Sequence, residues 1–158
     1  MDTESNDHLE DKHFLVAVDG SESSKRAVLY VADLLGGFPG VAVTLFTIIP
    51  APEEDFFDPA EDERAWIREK TEAAVALLEN YRKVLVQAGF TEDKVKIRTC
   101  VNEGTSLVEA ILETHCDLSC CTVVVGRHHK SKTEEFLFGS ISSKLIHEAK
   151  NCAVWVVE

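Results

Sequence analysis

Apolar residues along this chain fall into two alternating kinds of run. HFLVAVD (13 to 19), VAVTLFTII (41 to 49), TVVVG (122 to 126) and CAVWVVE (152 to 158) are short and almost continuously apolar. Too short for ordinary helices and rich in valine, they predict strands. KVKIRTC (94 to 100) instead alternates charged and apolar residues. That period of two predicts a half-exposed strand near a sheet edge.

Between these runs the apolar residues recur at helical spacing. Ala27, Val28, Val31, Ala32, Leu34 and Leu35 form one stripe, opened at Ser21, whose hydroxyl suits a helix N-cap, and stopped by GGFPG. The segment PAPEEDFFDPAEDER, with seven acids between Glu53 and Glu63, precedes a second, longer helix. Its inward stripe is Trp66, Ile67, Ala74, Leu77, Leu78, Tyr81, Leu85 and Ala88, closed by Gly89. A short third helix over Ser106 to Thr114 buries Leu107, Val108, Ile111 and Leu112, and SISSKLIHEA forms the fourth, opening behind Gly139-Ser140. Five strands alternating with four helices predict an α/β fold: one doubly wound, five-stranded parallel sheet with helices on both faces and right-handed crossovers.

A chain of 158 residues makes one domain, assigned to 13–158, behind an acidic tail over 1–12 that reads as disordered. The formal charge of −12 opposes binding to nucleic acid, and no apolar run approaches the roughly 20 residues a membrane-spanning helix needs. The first residues lack the apolar centre of a signal peptide, which points to the cytoplasm. Cys116, Cys120 and Cys121 crowd into CDLSCC without the paired spacing of a zinc site and read as buried, reduced thiols.

Open parallel sheets bind ligands beyond the carboxyl ends of their strands, where chain order reverses. With the first strand central and the fourth beside it, Asp19 and Gly126 meet there, joined by Ile48. A glycine at 126 lets the chain leave the strand in a conformation other residues avoid and lets a ligand approach the backbone. Gly139-Ser140, just ahead of a helix, offers free N–H groups and the positive dipole end to a phosphate. Arg127 to Lys132 holds three cations and no acid inside an acidic chain, which marks a local anion site. Asp19 suits a ribose hydroxyl or a base amino group instead.

Together VAVDGSESSKRAV, VVVGRHH…EFLFGSISSKLIHEA and the terminal CAVWVVE resemble the universal stress protein family over nearly all of residues 13 to 158. Nucleotide-binding members carry glycine, two residues, glycine, nine residues, then glycine with serine or threonine. The register here places Gly126, His129, Gly139 and Ser140 at those positions, so three of the four features match. The resemblance implies strand order 3-2-1-4-5, a homodimer joined through the last strands, and ATP or AMP at the switch point. It implies Ala17 and Ile48 flanking the base, Asp19 at the adenine or ribose end, and Gly126, Gly139, Ser140 and Ile141 near the ribose and phosphates, with Arg127 and His129 beside them. His129 departs from the pattern: its imidazole either blocks the phosphate approach or donates a hydrogen bond to it, making binding weaker and pH-sensitive.

The role implied is a dimeric stress-response sensor or binding module. A nucleotide-free interaction module and a slow ATPase or autophosphorylating protein are the alternatives. No GxxxxGK[ST] loop is present. Ser140 and His147 lie about two helical turns, roughly 10 Å, apart, too far for a nucleophile and its base, so no catalytic residue is assigned. His128 and His129 diverge in an extended chain, and no metal site is assigned. Mg2+ can accompany a triphosphate, although the acids of 53–63 read mainly as a solvated loop favouring the next helix start. Phe56-Phe57 within that loop suggests a lid or a partner contact.

Overall fold

A computed structural model of the chain describes residues 12–52, 60–127 and 135–158, with side chains from residue 62 in the second stretch and from Ile141 in the third. The strands are β1 (Lys12–Ala17), β2 (Val41–Ile49), β3 (Val95–Val101), β4 (Thr122–Gly126) and β5 (Ala153–Val157). The helices are α1 (Glu22–Leu35), α2 (Ala60–Gln87), α3 (Leu107–Leu118) and α4 (Glu135–Glu148). All strands pair in parallel, in the order β3-β2-β1-β4-β5. This is the predicted fold class and strand order.

Strand pleating divides the core in two. Phe14, Val16 and Val18 face Ala27, Val28 and Val31 of α1 and Leu78 and Leu85 of α2. Leu15, Phe46, Val123 and Val125 face Val108 and Ile111 of α3 and Leu145 of α4. β3 lies at one edge with its charged side chains partly in water, as the alternation of its sequence requires.

Helix starts follow local chemistry. Ser21 caps α1, its Oγ accepting from Ser24 N at 3.2 Å. Ser106 caps α3 in a capping box: its Oγ accepts from Glu109 N at 3.2 Å, while Ser106 N donates to Glu109 Oε2 at 2.8 Å.

Several boundaries and side chains differ from expectation. Lys12 belongs to β1, because its N–H donates to Gly40 O at 2.7 Å and backbone pairing is indifferent to its exposed side chain. Asp19 lies beyond β1, in the turn that opens α1. Leu34 is 45% and Leu107 40% exposed, each at the flank of its helical stripe rather than within it. Cys116 is exposed and Cys121 half-buried; of the three thiols in CDLSCC only Cys120 is buried.

The largest difference is α4. It begins at Glu135, which puts Gly139 and Ser140 inside the helix instead of ahead of it. Glu135, Phe136, Leu137 and Phe138 can extend a helix, and an interior glycine costs only about 1 kcal/mol, too little to end it. The tail over 1–11, Phe56-Phe57 and residues 128–134, His128 and His129 included, lie outside the described residues.

Candidate nucleotide pocket

The carboxyl ends of β1, β2 and β4 open into a cavity of about 300 Å3 on the sheet face covered by α3 and α4. Ala17, Val18 and Asp19 come from the end of β1 and its turn, Phe46 and Ile48 from β2, and Val125 and Gly126 from β4. Ser24 of α1, Leu107 and Ile111 of α3 and Ile141 of α4 complete it. Its walls are mainly aliphatic, with polar groups on one side.

That polar side is built by the turn into α1. Gly20, at φ +80°, turns the chain in a way that other residues resist. Asp19 Oδ1 then accepts from Ser21 N at 3.0 Å, and Ser24 Oγ donates to Ser21 O at 3.0 Å. Asp19 is therefore a turn former as well as a wall of the cavity. Its negative field reaches α2: the Tyr81 hydroxyl is held above its ordinary pKa by burial first, then by Glu22 and Asp19. Such a field disfavours phosphate at this end.

The β1 and β2 ends are fixed to each other. Val18 N donates to Phe46 O at 2.8 Å, and the Thr47 hydroxyl donates to Val18 O. Those bonds hold Ala17 beside Phe46 in register and set Ile48 beyond them.

Of the nine residues assigned from sequence, Ala17, Asp19, Ile48, Gly126 and Ile141 meet at this cavity. Arg127 turns away from it: its N–H donates to Val157 O at 2.7 Å, and its guanidinium lies 3.9 Å from Glu158 Oε1. Gly139 and Ser140 occupy the second turn of α4, where an α-helical N–H bonds the carbonyl four residues back. Free donors there belong to the first turn, around Glu135.

Gly126 has a different reason from the one its sequence suggests. Its backbone is not in the left-handed region. A Cβ on it would overlap the Ser23 carbonyl and stand 2.8 Å from Ser24 N. The residue is small because the first turn of α1 packs on the end of β4.

Phe46, Val125, Val18, Ser24, Leu107 and Ile111 were not singled out as site residues. Phe46 was findable, since it lies two positions before Ile48 and so shares its face. Leu107 and Ile111 are one turn apart on α3, and the predicted topology puts the start of that helix above the strand ends. Among the described residues no group of three or more His, Cys, Asp or Glu is placed to hold a metal ion, and no helix is long and apolar enough to cross a membrane.

This fold recurs in known proteins. The chain is 28% identical to the hypothetical protein MJ0577, with a TM-score of 0.74 over 92% of this chain and 94% of that one. A universal stress protein in complex with cAMP is 22% identical, TM-score 0.68, covering 93% of this chain and 97% of the other. One from Archaeoglobus fulgidus in complex with dAMP is 17% identical, TM-score 0.60, covering 95% and 99%. No curated protein matches the chain. The model of the universal stress protein family matches residues 11–158, and the chain belongs to that family.

Proposed function

We propose that this chain is a cytoplasmic adenine-nucleotide-binding protein of the stress response, a dimeric sensor or binding module more than a catalyst. The observation that carries the reading is the cavity at three strand ends, aliphatic on most sides and carboxylate-rimmed on one. At about 300 Å3 it is at the small end of ligand sites, the scale of a base and sugar more than of a whole triphosphate. Ala17 and Ile48 flank the base, Asp19 accepts from its amino group or from a ribose hydroxyl, and Gly126 and Ile141 border the sugar. The phosphates of ATP or AMP extend toward α4, with Mg2+ accompanying a triphosphate. Fold relatives bound to cAMP and dAMP support the same ligand class.

Denaturing freshly purified protein should release an adenine nucleotide, or calorimetric titration with AMP and ATP should show saturable binding. Asp19→Ala should weaken that binding by about tenfold or more, since a hydrogen bond to a charged group is worth roughly 1.5–3 kcal/mol. An empty protein that ignores both nucleotides removes the reading.

A second reading, a nucleotide-free interaction module of the same fold, is favoured by one observation. The start of α4 at Glu135 withholds the Gly139 and Ser140 N–H groups from a phosphate. A slow ATPase requires phosphate release above that of Asp19→Ala.

Dimerisation through β5 has a physical motive. This strand closes the sheet with one edge unpaired in the single chain, carries no charge before Glu158, and exposes 37% of Val156. Its Trp155 is anchored from behind, 5.1 Å from Phe14 and 6.3 Å from Tyr30 between ring centroids. An apolar edge of this kind is satisfied by a second copy. Sedimentation should report a dimer for the wild type and a monomer for Val156→Lys; an unchanged mass would rule out this edge.

A further inference from the structure

Four of the five cysteines gather at the end of the sheet opposite the cavity, around the last turn of α3 and the residues that lead into β4 and β5. Ala153 N donates to Cys121 O at 2.9 Å, so the leads into β4 and β5 run side by side. Cys120 is buried in the α3-facing core, and Cys152 packs against that same cluster. Burial, with Cys121 and Cys152 close by, pushes the Cys120 thiol up to about 11. Cys152 is raised too, by burial and then by the neighbouring Cys116 and Cys121 thiols. Both are protonated at neutral pH and poor first nucleophiles.

Cys116 stands in a different setting. It is exposed, and its Sγ lies 3.8 Å from Nδ1 of His115. That imidazole is only 6% exposed, and its Nε2 has no hydrogen-bond partner among the described residues. Burying an unpartnered ring nitrogen is unfavourable, so fold stability does not account for histidine here. With the proton on Nε2, Nδ1 carries the lone pair that faces the thiol and can accept its hydrogen.

We infer that Cys116 is a peroxide-reactive thiol, with His115 as its proton acceptor and Cys152 as the thiol that resolves the oxidised sulfur into a disulfide. The Cys116 proton moves to His115 Nδ1, and the sulfur attacks one oxygen of hydrogen peroxide. The O–O bond breaks, and the leaving hydroxide takes that proton and departs as water, leaving a sulfenic acid. Cys152 sulfur then attacks Cys116 sulfur, the S–O bond breaks, and the hydroxyl leaves with the Cys152 proton as a second water. Two thiols have lost two electrons and one peroxide has gained them. The product joins the last turn of α3 to the start of β5.

The test uses the full chain and peptide mapping by mass spectrometry. In the untreated wild type, iodoacetamide should label Cys116 roughly tenfold faster than the half-buried Cys100, as a thiol both accessible and paired with a base requires. One equivalent of peroxide should yield a Cys116–Cys152 linked peptide. In Cys152→Ser the link should vanish and dimedone should trap a sulfenic acid on Cys116. His115→Gln should slow labelling of Cys116 while Cys100 is unchanged. Equal labelling of Cys116 and Cys100 in the wild type, or peroxide treatment that leaves Cys116 reduced, overturns the assignment without recourse to any variant.

Discussion

Gly126→Ala should destabilise the fold by about 3 kcal/mol, the upper part of the range for overpacking a filled site. In a chain of this size that appears as a fall of roughly 9 °C in Tm. The methyl group would meet the Ser23 carbonyl and Ser24 N, backbone atoms of the first turn of α1. Neither can swing aside as a side chain does. Ser23 and Ser24 are buried, at 4% and 3% exposure, and that turn is tied to Ser21 through its cap. Relief therefore requires shifting α1 away from β4. Gly104→Ala supplies the control, because its φ is +98° but no atom lies within 4 Å of the added carbon. Its penalty is conformational alone, about 1 kcal/mol. Urea unfolding of both variants separates the causes; equal losses would mean that close approach does not explain Gly126.

That glycine shows where sequence reading succeeds and where it stops. Its place beside Asp19 followed from reading β1 and β4 as central neighbours, which local patterns support: a continuous apolar run for a central strand, alternation for β3 at the edge; the full strand order came from the family resemblance. The bounds of β2 and the cap at Ser21 were equally local. The reason for a glycine at 126 was not, since it depends on a carbonyl 103 positions earlier in the chain, Ser23 to Gly126. The start of α4 failed for an energetic reason: Gly139-Ser140 was read as standing just ahead of the helix, although the four residues before it could carry the helix past it. Asp19 lines the cavity at the strand ends, yet its bond to Ser21 N shows that a turn alone would justify an acid there. A residue with a structural reason and a binding reason cannot be divided between them by pattern. Only a variant that spares the fold and changes the ligand does so.

Phe46→Ala should destabilise the fold by about 4 kcal/mol, within the range for losing a buried phenylalanine. The ring is wholly buried, sits on β2 beside Ala17, and packs in the core shared with Val108, Ile111 and Leu145 while forming a wall of the cavity. Its backbone carbonyl still receives Val18 N in the variant, so the sheet itself is untouched. The loss comes from the ring's contacts and from the void it leaves. That void adjoins the existing space, so it enlarges the ligand site. Leu78→Ala, on the opposite face and equally buried, should cost about 2–5 kcal/mol and leave ligand affinity alone. Denaturant unfolding at unchanged m-value, read beside nucleotide titration, tests both points. Phe46→Leu should restore stability to within roughly 1.5 kcal/mol of the wild type, because most of the apolar volume returns. If nucleotide affinity falls in Phe46→Ala and in neither Leu78→Ala nor Phe46→Leu, the wall acts by filling space beneath the base. A fall in all three would instead trace the loss to general loosening of the sheet.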